Sequence, residues 1–360
     1  MKKTKLVFLI LILAICIASL TACSRAEQYF VYGTTLTIKA DDLKSQKDMQ
    51  SVADYIESLE GVLSATIDGS DVAKINAAKA GEAVKCSAVT MQIAKIAKAV
   101  YELSNGAYDP SVYPLVRLWK FSGDTFGRIG QEITPPTDEE INETLKLVGF
   151  DKFVLDFENS TVTKTVDGAM LDFGGIAKGY AVNESLLKTD GKMLVNLGGN
   201  IGARNRSYKI GIANPTRADR NFSTAYYAKF TLEDGECVST SGDYERYYTA
   251  MKDGKAVYYS HIIDPKTGYP VATAADGAVI SCTVITKNVS VEVNVENANG
   301  ECKEITLQID GTTGDALATA VVVLGKEKGV QLLESLGVCG LIITSDLQSV
   351  KVGDFDVEIQ

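Results

Sequence analysis

Asp315 and Thr319 stand four residues apart in Gly314-Asp315-Ala316-Leu317-Ala318-Thr319-Ala320, a run that predicts a helix, so their oxygens project from one face a turn apart. Oxygen donors so placed suit a hard cation such as Mg²⁺, which takes few protein ligands and fills its shell with water and substrate phosphate. Taken alone, the pair fits a plainer reading better, Asp315 as a helix N-cap and Thr319 as packing. Asp172-Phe173-Gly174-Gly175-Ile176-Ala177-Lys178-Gly179-Tyr180 says more. Two glycines let backbone approach a ligand where a helix begins, the helix N-terminus offers unpaired N–H groups, and Lys178 adds a positive charge one turn in. Phosphate fits there, and the alternative is a tight strand-to-helix turn with a solvated lysine. Neither GxGxxG nor GxxxxGK[ST] is present, which disfavours a dinucleotide fold of the Rossmann kind and an ordinary P-loop. His261, the only histidine, lies in Tyr259-Ser260-His261-Ile262-Ile263-Asp264-Pro265. An imidazole beside a hydroxyl could move protons near neutral pH, and a hydrogen-bonded structural histidine at a strand end is the equal alternative. Ser239-Thr240-Ser241-Gly242-Asp243-Tyr244 reads as a further polar loop, by itself more often a turn than a site.

The elements that must position these groups alternate between the two periodicities. Residues 29–40 carry β-branched alternation and predict one strand. Residues 41–63, with Met49, Val52, Ile56 and Leu59 on one stripe, and 87–104, with Ile93, Ile96, Val100 and Leu103, predict helices, the second stopped by Asn105-Gly106. Thr137-Asp138-Glu139-Glu140 is a capping box opening a helix to Val148, and 152–166 reads as a hairpin turning at Glu158-Asn159-Ser160. A strand at 161–171 runs into the Asp172 loop and a helix to Lys188, and 193–197 is a buried strand ending in Gly198-Gly199-Asn200. Strands dominate from 208 to 286, including a hairpin through Asp253-Gly254, and a helix opens at Gly314 with the next at Gly325-Lys326. Two strands close the chain between 341 and 359. No Pro-rich or Ser-rich linker divides it, which predicts one interlocked α+β domain of two lobes.

Composition narrows the function. With 46% hydrophobic and 23% charged residues, the 360-residue chain can bury a large core. Its 46 acidic against 36 basic residues give a net charge of −10, which argues against a general nucleic-acid binder. Lys2, Lys3 and Lys5 precede an apolar run from Leu6 to Ala18 and then Leu20-Thr21-Ala22-Cys23, a secretory signal (1–22) ending in a bacterial lipobox. An uncleaved anchor helix is disfavoured by the shortness of the run. The expected mature protein begins at an acylated Cys23, with 23–28 as lipidated end and tether, 29–360 as the folded domain, and an address on the extracytoplasmic face of a cell membrane. Beyond Cys16 and Cys23, the cysteines Cys86, Cys237, Cys282, Cys302 and Cys339 are scattered, without CxxC or histidine partners, so a zinc site is disfavoured. They read mostly as buried small hydrophobes, with one disulfide, Cys282 to Cys302, left open.

In order, these segments resemble the ApbE family, the FAD:protein FMN transferases. The likeness runs through Tyr32-Gly33-Thr34, Ala107-Tyr108-Asp109-Pro110, Pro114-Leu115-Val116-Arg117-Leu118-Trp119, the Asp172 loop and Asn196-Leu197-Gly198-Gly199-Asn200. It continues through Ser239-Thr240-Ser241-Gly242, the His261 segment, and Asp315 to Thr319. The resemblance implies a bilobed α+β fold related to T-folds, with central antiparallel-rich sheets and flanking helices. It implies Mg²⁺-dependent transfer of FMN from FAD to a threonine hydroxyl of an acceptor flavoprotein, releasing AMP. It places the metal on the Gly175 carbonyl, Asp315 and Thr319, and FAD on Tyr32, Ala107, Tyr108, Asp109, Asp172, Lys178 and Ile262 or Ile263. Lys178 would offset phosphate charge and His261 would help deprotonate the acceptor, with Asp315 completing the catalytic group. Acceptors would be extracytoplasmic subunits of membrane redox complexes.

Three departures stand out: Tyr32 for a common methionine, Tyr113 and Lys120 where glycines are usual, and an added segment at 288–311 whose alternation predicts an extra hairpin. That hairpin is expected to be surface decoration, with acceptor docking as the alternative. An FAD pyrophosphatase using water, and a flavin-binding lipoprotein without catalysis, are the competing functions.

Overall fold

The computed structural model describes residues 24–122, 133–215, 226–252, 254–271, 277–296 and 302–360. Cys23 and the signal segment lie outside the described residues, as do Asp253 and the tip of the 288–311 segment.

An eight-stranded sheet organises the molecule, in the order Arg25–Val31, Thr34–Ala40, Met193–Leu197, Asn200–Arg204, Cys237–Gly242, Val279–Thr286, Cys339–Thr344 and Ser349–Val352. Every neighbouring pair is antiparallel, so alternate residues face opposite ways. One face, carrying Leu36, Ile38, Val195, Leu197, Cys282 and Val284, belongs to a core shared with helices Leu43–Leu63, Ala88–Leu103, Ala177–Leu186 and Gly311–Leu324. The other face, with Val238, Leu341 and Ile343, packs on the three-stranded sheet formed by Val357–Ile359, Tyr226–Leu232 and Tyr208–Ala213. A separate aromatic cluster joins helices Tyr113–Leu118 and Asp138–Leu145 to the hairpin Tyr247–Lys252 and Lys255–Ser260 through Leu115, Trp119, Ile141, Tyr259 and Ile263. Trp119 ties this cluster together: it lies 5.2 Å from the Tyr259 ring and donates its indole N–H to the Gly268 carbonyl at 2.8 Å. The expected α+β architecture of antiparallel sheets and flanking helices is the one observed.

Several boundaries differ from expectation, each for a local reason. The single strand predicted over 29–40 is a hairpin, because Tyr32 (φ 55°) and Gly33 (φ 64°) form a two-residue turn between paired Val31 and Thr34. Positive φ at both positions gives the turn whose twist suits a hairpin. The supposed tether of residues 24–28 is largely strand, since pairing begins at Arg25 opposite Ala40. Ser239-Thr240-Ser241-Gly242 is a central strand rather than a loop. The helix opened by the Thr137–Glu140 capping box ends at Leu145. Cys282 is buried and Cys302 exposed, and both are free thiols, so the disulfide is not formed. The predicted extra hairpin is present as Val289–Glu296 and Cys302–Ile309, but Val293, Leu307 and Ile309 are buried in the main core, so it is built into the fold rather than laid upon it.

Candidate active site

Helix Ala177–Leu186 begins without a cap of its own: Ile176 offers no side-chain acceptor to its first turn. The Gly179 N–H instead donates to Asp315 Oδ2 at 2.9 Å, from the neighbouring helix. Contact this close requires glycine, because a Cβ at Gly179 would lie 2.1 Å from the Gly311 carbonyl oxygen and 2.7 Å from Asp315 Cβ. Asp315 does not cap its own helix, which starts earlier, at Gly311, under a capping box of Asp310 and Thr313. The plainer reading of Asp315 therefore fails. It is a buried carboxylate in the second turn of one helix, aimed at the positive end of another. Lys178 is drawn into the same place, its Nζ donating to the Gly174 carbonyl at 2.7 Å and standing 3.5 Å from Asp315 Oδ2.

One turn along, Thr319 Oγ1 lies 3.0 Å from Ser241 Oγ of the central sheet. A Cβ on Gly175 would fall 3.8 Å from Thr319 Oγ1 and 3.3 Å from Tyr108 Cε2, so the glycine leaves backbone next to both. Tyr108 is buried and its hydroxyl has no partner among the described residues. Burial, then the charges of Asp315, Asp172 and Asp109, push its phenol well above the ordinary value and keep it a donor. Asp172 accepts from the Gly174 N–H at 2.8 Å. Burial raises its pKa, opposed by that bond and by Lys178 and Arg246. The loop ahead of Asp172 is fixed by Asn76, whose side chain accepts from the Leu171 N–H at 2.7 Å and donates to the Leu171 carbonyl at 2.8 Å. Beside it opens a cavity of about 610 Å³ lined by Thr66, Asn76, Tyr113, Arg117, Lys120 and Met170.

His261 follows the outer hairpin, and its Nδ1 lies 3.1 Å from the Arg246 carbonyl. A carbonyl only accepts, so Nδ1 carries the proton and Nε2 the lone pair. Burial, then the charges of Arg246 and Lys178, lower the imidazole to about 4 and keep it neutral at physiological pH. The next two residues straddle the lobes, Ile262 in the main core and Ile263 in the aromatic cluster.

The structure thus gathers Gly175, Lys178, Asp315, Thr319, Tyr108 and Asp172 at one place, with His261 within electrostatic reach of Lys178. Asp109 does different work: its Oδ1 accepts from the Ser111 N–H at 2.8 Å and caps a short turn, while the buried Ala107 donates its N–H to the Ser104 carbonyl at 3.1 Å. Tyr32 has a buried hydroxyl, and burial, then the charges of Glu60, Tyr180 and Tyr55, raise its pKa. Sequence reasoning missed Asn76, Ser241 as Thr319's neighbour, and Arg246. Only strand register, which puts Ser241 opposite Cys282, could have pointed to the second.

Hydroxyl, carbonyl and one carboxylate oxygen make a hard donor set, and among the described residues no group of three or more His, Cys, Asp or Glu forms a metal cluster. The set fits Mg²⁺ held by few protein ligands with phosphate completing its shell, and not a thiolate- or imidazole-bound transition metal. A helix N-terminus, a lysine and such a donor set define a site for a phosphate-bearing ligand. Comparison with known proteins agrees in kind. The ApbE family model matches residues 32–342, and the chain belongs to the ApbE family. It is 29% identical to a Vibrio cholerae protein named FAD:protein FMN transferase over 88% of this chain and 87% of that protein. A Klebsiella pneumoniae protein of the same name is 31% identical over 78% and 77%. Among solved structures, the ApbE protein of Thermotoga maritima superposes with a TM-score of 0.74 at 30% identity, covering 92% of this chain and 97% of that one. The Vibrio cholerae flavin transferase ApbE superposes with a TM-score of 0.71 at 25% identity over 92% and 97%. Like these relatives, the chain is an enzyme.

Proposed function

We propose that the enzyme transfers FMN from FAD to a threonine hydroxyl of an acceptor flavoprotein, with Mg²⁺ at the site and AMP as the second product. The observation that carries this reading is the convergence of Asp315, Lys178, Gly175 and Thr319 on the N-terminus of helix Ala177–Leu186, with a neutral histidine nearby. In the reaction the acceptor oxygen attacks the phosphorus of the FMN half. A new phosphoester bond forms, the bond from that phosphorus to the bridging oxygen breaks, and AMP departs with that oxygen. His261 Nε2 takes the hydroxyl proton, since Nδ1 is committed to the Arg246 carbonyl. Lys178 and the helix N-terminus offset charge on the phosphates. Gly175, Asp315 and Thr319 would hold Mg²⁺, which when bound neutralises pyrophosphate charge. The cavity beside the Asp172 loop would take part of the dinucleotide, its lining holding Tyr113, Arg117 and Lys120 along with the carboxylate of Asp68.

Intact mass spectrometry of a threonine-bearing acceptor domain, after incubation with enzyme, FAD and Mg²⁺, tests the reading. An FMN adduct that EDTA abolishes and Asp315→Asn loses is expected. Asparagine can still accept from Gly179, so the helix stays capped while the charge is gone. Metal-dependent AMP without adduct on any threonine would replace transfer with hydrolysis, and neither product would leave only flavin binding. Cys23 as a lipid attachment point and the extracytoplasmic membrane face as the address belong to the same proposal.

A further inference from the structure

Arg246 stands just before strand Tyr247–Lys252, in an exposed position. Its carbonyl accepts from both the main-chain N–H of His261 at 3.0 Å and the imidazole at 3.1 Å, so the Arg246 backbone fixes both the main chain and the ring of His261. Its side chain runs back over the Tyr32–Gly33 turn, Nη2 lying 3.5 Å from the point a Cβ of Gly33 would occupy. From there its charge acts on Asp172 and on His261, the same two groups that Lys178 acts on. Two cations from unrelated elements, a helix N-terminus and a sheet-end turn, thus bracket one small region. Lys178 is a point charge already engaged by Gly174 and Asp315. A guanidinium presents a planar fork that matches two oxygens of a phosphate at once, and an exposed one can reach a ligand. A pyrophosphate has non-bridging oxygens on two phosphates, more charge than one partly committed lysine can meet.

We propose that Arg246 is a substrate-contacting residue, its guanidinium binding non-bridging oxygens of the FAD pyrophosphate from the Gly33 side while Lys178 approaches from the helix N-terminus. The assignment deepens the transferase reading and rests on it for the identity of the substrate, but its binding consequence can be read without turnover. FAD and riboflavin affinities are measured by flavin fluorescence for the wild-type enzyme, Arg246→Ala and Arg246→Lys, alongside steady-state FMN transfer. Arg246→Ala should weaken FAD at least tenfold and leave riboflavin, which has no phosphate, within twofold. Its kcat/KM for FAD should fall on the order of 10²-fold, with the KM for acceptor unchanged. Arg246→Lys should recover part of the loss, and added guanidinium should partly rescue the alanine variant. Equal weakening of FAD and riboflavin, or a loss that neither lysine nor guanidinium relieves, would make Arg246 a structural support and overturn the assignment. So would FAD affinity within twofold of wild type. Wild-type enzyme that binds FAD through Arg246 yet forms no adduct would sink the transferase reading alone.

Discussion

His261 and Asp109 are both displaced from their ordinary pKa values by burial, and the displacements act in opposite senses. His261 falls to about 4, so its base form persists far below the usual imidazole range. The acid limb of kcat/KM should therefore lie near pH 4 rather than 6.5, and the profile should be flat from pH 8 down to about 5. An inflection near 6.5 would show an imidazole that burial does not depress, whereas near wild-type transfer by His261→Ala across this range would remove His261 as the base. Asp109 rises to about 6, burial outweighing the bond from Ser111. A carboxyl with a folded pKa above its unfolded one favours folding while protonated, so its contribution is fully present below about pH 4 and lost as pH rises through 6. Asp109→Asn keeps an acceptor for Ser111 without a charge to bury. It should raise the unfolding free energy by up to about 2 kcal/mol at pH 7.5 and by about a third of that at pH 4.5, read by denaturant titration. Equal effects at both pH values would assign the gain to packing. Asp315 and Thr319 were legible as a pair, because a helical turn fixes i and i+4, while Lys178 stood out through the glycine loop ahead of its helix and His261 as the only histidine, their roles coming from the family resemblance. Arg246 was not: its partners come from residue 33, the Asp172 loop and His261, and no local period connects them.

At the scale of elements, the site exists because two helices cross closely enough for one to cap the other. Gly179 and Gly311 make that crossing: a Cβ at Gly179 would meet the Gly311 carbonyl, and one at Gly311 would lie 3.3 Å from the Gly179 carbonyl oxygen. Gly179→Ala should force the helices apart, costing about 1–3 kcal/mol in stability and removing the Asp315 bond that places the carboxylate. The expected result is a lower Tm together with loss of Mg²⁺-dependent thermal stabilisation. Retention of the metal response in a destabilised protein would show that Asp315 is positioned without the crossing. Helix signals with their own chemistry were readable, as with the Thr137–Glu140 capping box and the stop at Asn105 (φ 51°) and Gly106 (φ 74°). Helices Asp71–Ala77 and Tyr113–Leu118 were not, being too short to show a period. The Tyr32–Gly33 turn escaped because a tyrosine at positive φ carries none of the usual turn chemistry.

In the whole molecule, the eight-stranded sheet separates a helical layer that holds the site from a small sheet that backs it, and the aromatic cluster around Trp119 carries the His261 segment up to the helical side. Pairing begins at Arg25, so an acyl group on Cys23 would leave one residue, Ser24, between the bilayer and the edge strand of the sheet. The enzyme would then be held tightly against the membrane, and acceptors would have to present their threonine near the surface. No helix among the described residues is long and apolar enough to cross a membrane. Cys23→Ala in the full-length chain should move the protein from the membrane to the soluble fraction. It should leave Tm and transfer to a soluble acceptor domain within twofold, while slowing modification of a membrane-embedded acceptor, because confinement to one surface raises the effective concentration of the pair. Inserting a flexible Gly/Ser linker of about 20 residues, roughly 25 Å in mean reach, between Ser24 and Arg25 separates anchoring from closeness. If transfer to the embedded acceptor survives the linker but not Cys23→Ala, confinement alone is what the lipid supplies. If the linker also slows it, the short tether sets the height at which the site meets its target, and if Cys23→Ala stays with the membrane, the anchor lies elsewhere in the chain.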